Sequence, residues 1–136
     1  TERHPDAYLV PNLLRFRFDA PLFVANAGFF EEQLSEAIDA TPGGVRRVVV
    51  AAEPISDIDS TGAEMLEMLL DDLDARGVEF AFAELKGPVK DRLRRYGLYD
   101  RIGGRFFYDT LGVAVMSYAD ETGVSPRDRG DDDRDR

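Results

Sequence analysis

The sequence predicts an α/β fold: a mixed, mostly parallel β-sheet with an antiparallel edge hairpin and about four flanking helices. Three observations carry this expectation. Stretches rich in β-branched and aromatic residues alternate with stretches of helical periodicity, the order expected of strand–helix–strand crossover units. The run VRRVVVAA at 45–52 is apolar without alternation past its arginines, as in a strand buried on both faces of a parallel sheet. At 13–19, Leu14, Phe16 and Phe18 alternate with Arg15, Arg17 and Asp19, the mark of a strand with one buried face.

Taken in order, residues 1–12 carry Pro5 and Pro11 among polar side chains and read as a linker from a preceding segment. The alternating strand follows. Asp19, Ala20 and Pro21 supply a turn, and residues 22–25 return as the second strand of the edge hairpin. Residues 27–40 are helical, with Phe30, Leu34, Ala37 and Ile38 as the apolar stripe and Asn26 placed to cap the start. Pro42, Gly43 and Gly44 stop that helix.

After the strand at 45–52, a second helix runs over 62–75 with Ala63, Leu66, Leu69, Leu70 and Leu73 inward. A strand at 78–85 leads to a helix opened by Gly87 and Pro88, with Val89, Leu93 and Tyr96 on its inner side. A short strand at 106–108 precedes a last helix over about 110–120. The ordered domain is thus expected over 13–121. Residues 122–136 end in RDRGDDDRDR, without an apolar side chain, and are expected to form a disordered charged tail.

Composition narrows the function. The net charge of −10 argues against nucleic acid as a partner, because no basic stripe dominates the chain. There is no cysteine and the single histidine is His4, which excludes thiolate chemistry, disulfides and ordinary Ser-His triads. No metal site is expected. No apolar run reaches the ~20 residues that span a bilayer, and no signal peptide is visible. A first residue of Thr rather than Met points to a piece of a longer chain.

The chemistry-bearing stretch is ISDIDSTGAEMLEMLLDDL at 55–73. Asp57, Asp59 and Thr61 fit D-x-D-x-T, which resembles haloacid-dehalogenase-type phosphatases, where the first Asp attacks phosphorus and a magnesium ion offsets the charge. Here Glu53, Pro54 and Ser56 separate the motif from its strand, and the nearest downstream acids, Asp131 to Asp133, fall in the tail. That enzyme reading therefore stands as an alternative, and no catalytic residue is assigned. Thr61 and Glu64 also fit a capping box, with Ser60 or Asp59 as equal candidates for the cap. Met65 and Met68 follow Thr61 along one helix edge. They either complete the core or offer adaptable apolar groups to a partner.

The strand–IDSTG–helix arrangement resembles STAS domains, found in SulP-family sulfate transporters and in anti-sigma-factor antagonists. The resemblance covers residues 13–121. The segment LLRFRFDAPLFVANAGFFEEQL, with Val24 where the pattern has a second Phe, and the later RLRRYGLYDRIGGRFFYDTLGVAV look like the transporter branch. The resemblance implies the cytosolic C-terminal domain of a membrane anion transporter, at the cytoplasmic face, with its own chain's transport domain as partner and no enzymatic activity. It further implies a phospho-acceptor before the loop glycine. That position is Thr61, with Ser60 as a neighbouring hydroxyl and Asp57, Asp59, Gly62, Met65 and Met68 forming the regulatory loop and partner surface.

A cytosolic regulatory protein or a nucleotide is the further ligand the resemblance suggests, although no G-x-x-x-x-G-K-[ST] motif is present. A free-standing anti-sigma-factor antagonist is the alternative function. The region holding Lys86, Lys90, Arg92, Arg94, Arg95, Arg101 and Arg105 is basic against an acidic chain. Its Lys90, Arg94 and Arg95 are the candidate anion or partner patch, the competing reading being a solvated helix face.

Overall fold

The computed structural model describes residues 8–22, 26–124 and 127–128. Its centre is a four-stranded sheet in the order β2, β3, β4, β5, formed by Leu13–Arg17, Arg47–Ala51, Glu79–Ala83 and Phe107–Tyr108. Every neighbouring pair in it is parallel. Its register places Phe16 beside Val50, Val50 beside Phe82 and Phe82 beside Phe107. One rung of large apolar side chains therefore crosses the whole sheet.

Parallel neighbours need crossovers, and the helices supply them. Helix α1 (Ala27–Ala40) links β2 to β3, and α2 (Ser60–Ala75) links β3 to β4. Helices α3 (Gly87–Arg95) and α4 (Leu98–Ile102) lie between β4 and β5. Alternation sorts the two faces. Val48, Val50, Phe80 and Phe82 share a core with the buried residues of α1 to α4, such as Phe30, Leu66 and Leu93. Val49, Ala81 and Ala83 point the other way, onto Ala114 of α5 (Leu111–Thr122).

Two boundaries differ from expectation. The basic helix is split in two because Gly97 adopts a left-handed conformation, φ 79°, which ends α3 and starts α4. As a result Tyr96 is exposed instead of facing inward. Phe107–Tyr108 is preceded by a 3-10 turn over Gly104–Phe106.

The edge hairpin is corrected. Strand β2 is parallel to β3, and Leu22, the one described residue of the expected second strand, does not pair with β2. Leu22 instead makes a parallel bridge to Ile58. A short β2 that must cross over through α1 carries its exit onward past the sheet's carboxyl edge. Residues 23–25 of the expected second strand lie outside the described residues. The antiparallel pairing present joins β1 (Tyr8–Leu9) to β6 (Arg127–Asp128), so Arg127–Asp128 depart from the expected structureless tail. The rest of RDRGDDDRDR lies outside the described residues.

The linker reading is also corrected at its end. Val10 is buried against Val115 and Tyr118. Asn12 sits at φ 68°, and its side-chain amide donates to the carbonyls of Gly43 and Gly44 at 2.9 and 3.0 Å. Its own carbonyl accepts from the amides of Arg46 and Arg47 at 2.7 and 3.2 Å. Pro11 reads as punctuation in the sequence, yet the residues around it are part of the fold. No helix among the described residues is long and apolar enough to cross a membrane.

Candidate functional site

The loop after β3 lies at the carboxyl ends of the strands, where open α/β sheets present their ligand-facing loops. Its backbone is fixed from one side by Leu22. The Leu22 amide donates to the Asp57 carbonyl at 3.0 Å, and the Asp59 amide donates to the Leu22 carbonyl at 3.3 Å. A Cβ built on Gly62 would lie 1.9 Å from that same Leu22 oxygen and 3.1 Å from Cγ1 of Ile58. Gly62 is helical, so the demand is for space and not for left-handed backbone.

The cap of α2 is Asp59. Its Oδ1 accepts from the Gly62 amide at 2.8 Å. The Thr61–Glu64 capping box is not formed, because the helix begins at Ser60 and Thr61 is already its second residue. Asp57 turns away from the cap. Its Oδ1 accepts from the Ile58 amide at 2.8 Å and from Nε of Arg92 on α3 at 2.9 Å. The first Asp of D-x-D-x-T is thus committed to a neighbouring helix and the second to a helix cap. Among the described residues no three His, Asp or Glu side chains converge as a metal site.

Ser60 and Thr61 are both exposed, and neither hydroxyl has a hydrogen-bond partner among the described residues. They look in different directions. Ser60 lines a shallow groove with Glu64, Glu67, Tyr96 and Leu98. Thr61 lies on the edge shared with Met65 and Met68 by helical spacing. That edge is half buried: Met65 belongs to the core at 9% exposure, whereas Met68 is 66% exposed. Met65 thus completes the core, and Met68 is left facing solvent.

The basic region is not a single patch. Lys86 donates to the Glu53 carbonyl, and Arg92 is held by Asp57. Arg94 pairs with Asp91 at 2.8 Å and lies 4.3 Å above the Tyr99 ring. Arg101 leaves the group to pair with Asp71 and Asp74 of α2 at 2.7 and 3.1 Å. Lys90, half-buried, and Arg95, exposed, have no ion pair among the described residues. Arg105 lies elsewhere, against Glu121 at 2.9 Å.

That last contact belongs to a cluster the sequence reading did not single out. The Arg47 side chain, 3% exposed, pairs with Glu121 at 2.8 Å and Glu79 at 2.9 Å. The rings of Phe106 and Tyr118 lie 4.9 and 5.1 Å from its guanidinium. Burial alone disfavours the Arg47 charge, but the hydrogen bonds it donates to Glu121 and Glu79, with the attraction of their charges, outweigh burial and raise its pKa. Hydrogen bonding from Arg47 lowers Glu121 from 4.5 to about 2, against burial and with help from Arg105. The cluster joins the amino ends of β3 and β4 to the end of α5, opposite the loop. The doublet Arg46–Arg47 before an apolar strand was the available signal, and it gave no hint that one of the two is buried.

Comparison with known proteins bears on both ends of the molecule. The STAS domain family model matches residues 4–114. A protein named "Probable sulfate transporter" from Mycobacterium tuberculosis is 36% identical over 115 residues, covering 85% of this chain and 20% of that protein. The chain thus spans about a fifth of the length of such curated relatives. The SulP transporter STAS domain from Vibrio cholerae superposes with a TM-score of 0.70 at 19% identity, over 85% of this chain and 87% of that one. An anti-sigma-factor antagonist candidate from Thermotoga maritima gives 0.66 at 21%, over 81% and 91%. These structural likenesses share the parallel sheet and its helices, and the family model spans the whole four-stranded sheet, helices α1 to α4 and the locked loop: this chain belongs to the STAS domain family.

Proposed function

We propose that this chain is the cytosolic regulatory module of a SulP-type sulfate or anion transporter, acting at the cytoplasmic face of the membrane on its own chain's transport domain. It works by docking and not by catalysis. The observation that carries the reading is the exposed edge at the start of α2. Ser60 and Thr61 in the first turn of α2, and Met68 two turns on, are exposed beside a loop whose backbone is held by Leu22 and whose Asp57 side chain is held by Arg92. A surface fixed before binding loses little entropy on docking. The names of the sulfate-transporter relatives support the transporter assignment.

Phosphorylation of Thr61 or Ser60 would add a charge of about −1.5 to −2 at the start of a helix. The helix dipole favours that charge, while Asp57, Asp59 and Glu64 oppose it. The modification therefore changes what docks and leaves the fold in place. Nucleotide binding at the same loop is the second ligand class of this reading, and a titration followed at the amides of 57–62 tests it. A free-standing antagonist uses the same exposed hydroxyls, and the native mass separates the two readings.

The test is anion uptake by the full-length transporter carrying Thr61→Glu and, separately, Ser60→Glu. A change in uptake with unchanged membrane abundance supports the regulatory edge. Wild-type uptake in both variants overturns it.

A further inference from the structure

The outer face of α2 carries one acidic stripe that the molecule neutralises over only half its length. Ser60, Glu64, Glu67, Asp71 and Asp74 recur at i, i+4, i+7, i+11 and i+14, which keeps them within about 80° of one another around the helix. All five are exposed. Arg101 of α4 closes the far half: it pairs with Asp71 at 2.7 Å and Asp74 at 3.1 Å. Its Nη1 donates to the Glu67 carbonyl at 3.4 Å and leaves the carboxylate alone. Glu64 and Glu67 repeat the i, i+3 spacing of the two aspartates, and neither has an ion pair among the described residues.

The near half is also where the surface is concave. Ser60, Glu64 and Glu67 face Tyr96 and Leu98 across a groove of about 130 Å³. Its floor is apolar, since Ala63 and Leu98 are buried, whereas Tyr96 on the far wall is 40% exposed. Such a floor suits the methylene stem of a long basic side chain. Its cationic head is attracted by the two carboxylates and by the aromatic ring.

We propose that this half-stripe is the contact surface for a Lys- or Arg-bearing cytoplasmic loop of the transport domain. The loop's cation bridges Glu64 and Glu67 as Arg101 bridges Asp71 and Asp74. This rests on the transporter reading above and names the chemistry of the partner that docks. Cytoplasmic loops of membrane proteins carry an excess of Lys and Arg, while this chain carries a net charge of −10. The two surfaces are thus opposite in sign before they touch. Anionic headgroups of the cytoplasmic leaflet repel unpaired carboxylates, so the groove faces protein and not lipid. Thr61 and Met68 lie about a quarter turn further round the helix and stand outside this contact.

The experiment is amide hydrogen exchange, read by mass spectrometry, on the full-length protein in lipid nanodiscs. Wild type is compared with Glu64→Lys plus Glu67→Lys. Glu32→Lys plus Glu36→Lys on α1 is a control of equal charge change, at exposed residues that also have no ion pair among the described residues. The groove reversal is expected to raise exchange at least about threefold at 96–98 and in a Lys- or Arg-bearing cytoplasmic loop of the transport domain, through like-charge contact. The α1 reversal leaves that loop unchanged. Glu64→Gln with Glu67→Gln, which keeps the shape, moves the same segments less, and about 0.5 M salt moves them in wild type. Cytoplasmic loops that ignore the groove reversal, or answer both reversals equally, overturn the proposal. A response confined to the 90–95 segment of the domain overturns it in favour of contact between copies. A full-length protein without a transport domain sinks the transporter reading itself, whereas a transporter whose loops stay silent sinks only this contact.

Discussion

The first turn of α2 rests on the backbone of Leu22 at Gly62, with no room for a side chain between them. The close approach goes with the two backbone hydrogen bonds between Leu22 and the loop at 57–59, next to the Asp59 cap on the Gly62 amide. Glycine at this position is therefore a packing requirement that also sets the geometry of the exposed hydroxyls beside it.

Gly62→Ala is expected to destabilise the fold by about 2–4 kcal/mol, since backbone on the Leu22 side cannot give way as a side-chain tip can. Alanine's better helix propensity, about 1 kcal/mol, offsets only part of this. Denaturant unfolding with an unchanged m-value measures it. An alanine variant as stable as wild type would show that the first turn can lift off Leu22 freely.

Asp57 and Arg92 separate stability from loop order. Their side chains are 35% and 44% exposed, so the pair is expected to contribute less than about 1 kcal/mol to folding. Arg92→Ala should nevertheless loosen the loop, because Asp57 then holds only the Ile58 amide. Amide exchange at 57–59 is expected to rise while the unfolding midpoint barely moves. A large drop in the midpoint, with loop exchange unchanged, would place the pair in the core's stability instead.

Most of the helical layer was legible in the sequence because its signals are local. The apolar stripe of α1, the β-branched run of β3 and the stop at Pro42 each state their own structure. What could not be read was pairing at a distance. Alternation in Leu14, Phe16 and Phe18 reports one buried face, but says nothing about whether the neighbour is parallel, and so the hairpin expectation failed. At the site, the acid-rich loop and its glycine stood out by spacing, whereas the roles within it did not. Asp59, Ser60 and Thr61 are all good caps in isolation. The choice fell to Asp59 because Leu22, 37 positions earlier by number, fixes where the helix begins. Arg47 was invisible for the same reason, since its partners Glu79 and Glu121 come from other elements.

The Arg47 cluster makes stability depend on acid. Glu121 has its folded-state pKa lowered from 4.5 to about 2. A lowered carboxylate contributes stability that is complete above its unfolded value and lost as pH falls toward the folded one. The loss should therefore fall between pH 4.5 and about 2. Glu121→Gln keeps the shape and removes the charge, leaving Arg47 with Glu79 alone. It is expected to cost about 1–3 kcal/mol at neutral pH and to flatten that part of the stability profile. Thermal unfolding of both proteins across the acid range checks it. An identical slope in the variant would assign the acid sensitivity to other carboxylates.

Asn12 decides whether the lead-in behaves as a tether or as a rigid extension of the sheet. Its left-handed backbone, φ 68°, is tolerated by Asn and Gly far better than by Ala. Its side chain also clasps the Gly43–Gly44 turn. Asn12→Ala loses both features and is expected to cost about 1–3 kcal/mol. Asn12→Gly keeps the backbone and loses only the clasp, so it should cost less. The order wild type, Gly, Ala in unfolding free energy would show that backbone conformation and clasp both count. In each variant, exchange of the Leu13 amide, which donates to the Val10 carbonyl at 3.2 Å, should rise more than exchange within β3. If Leu13 and β3 loosen equally, the lead-in is part of the global unfolding unit, and movement of a preceding segment is passed undamped into the sheet.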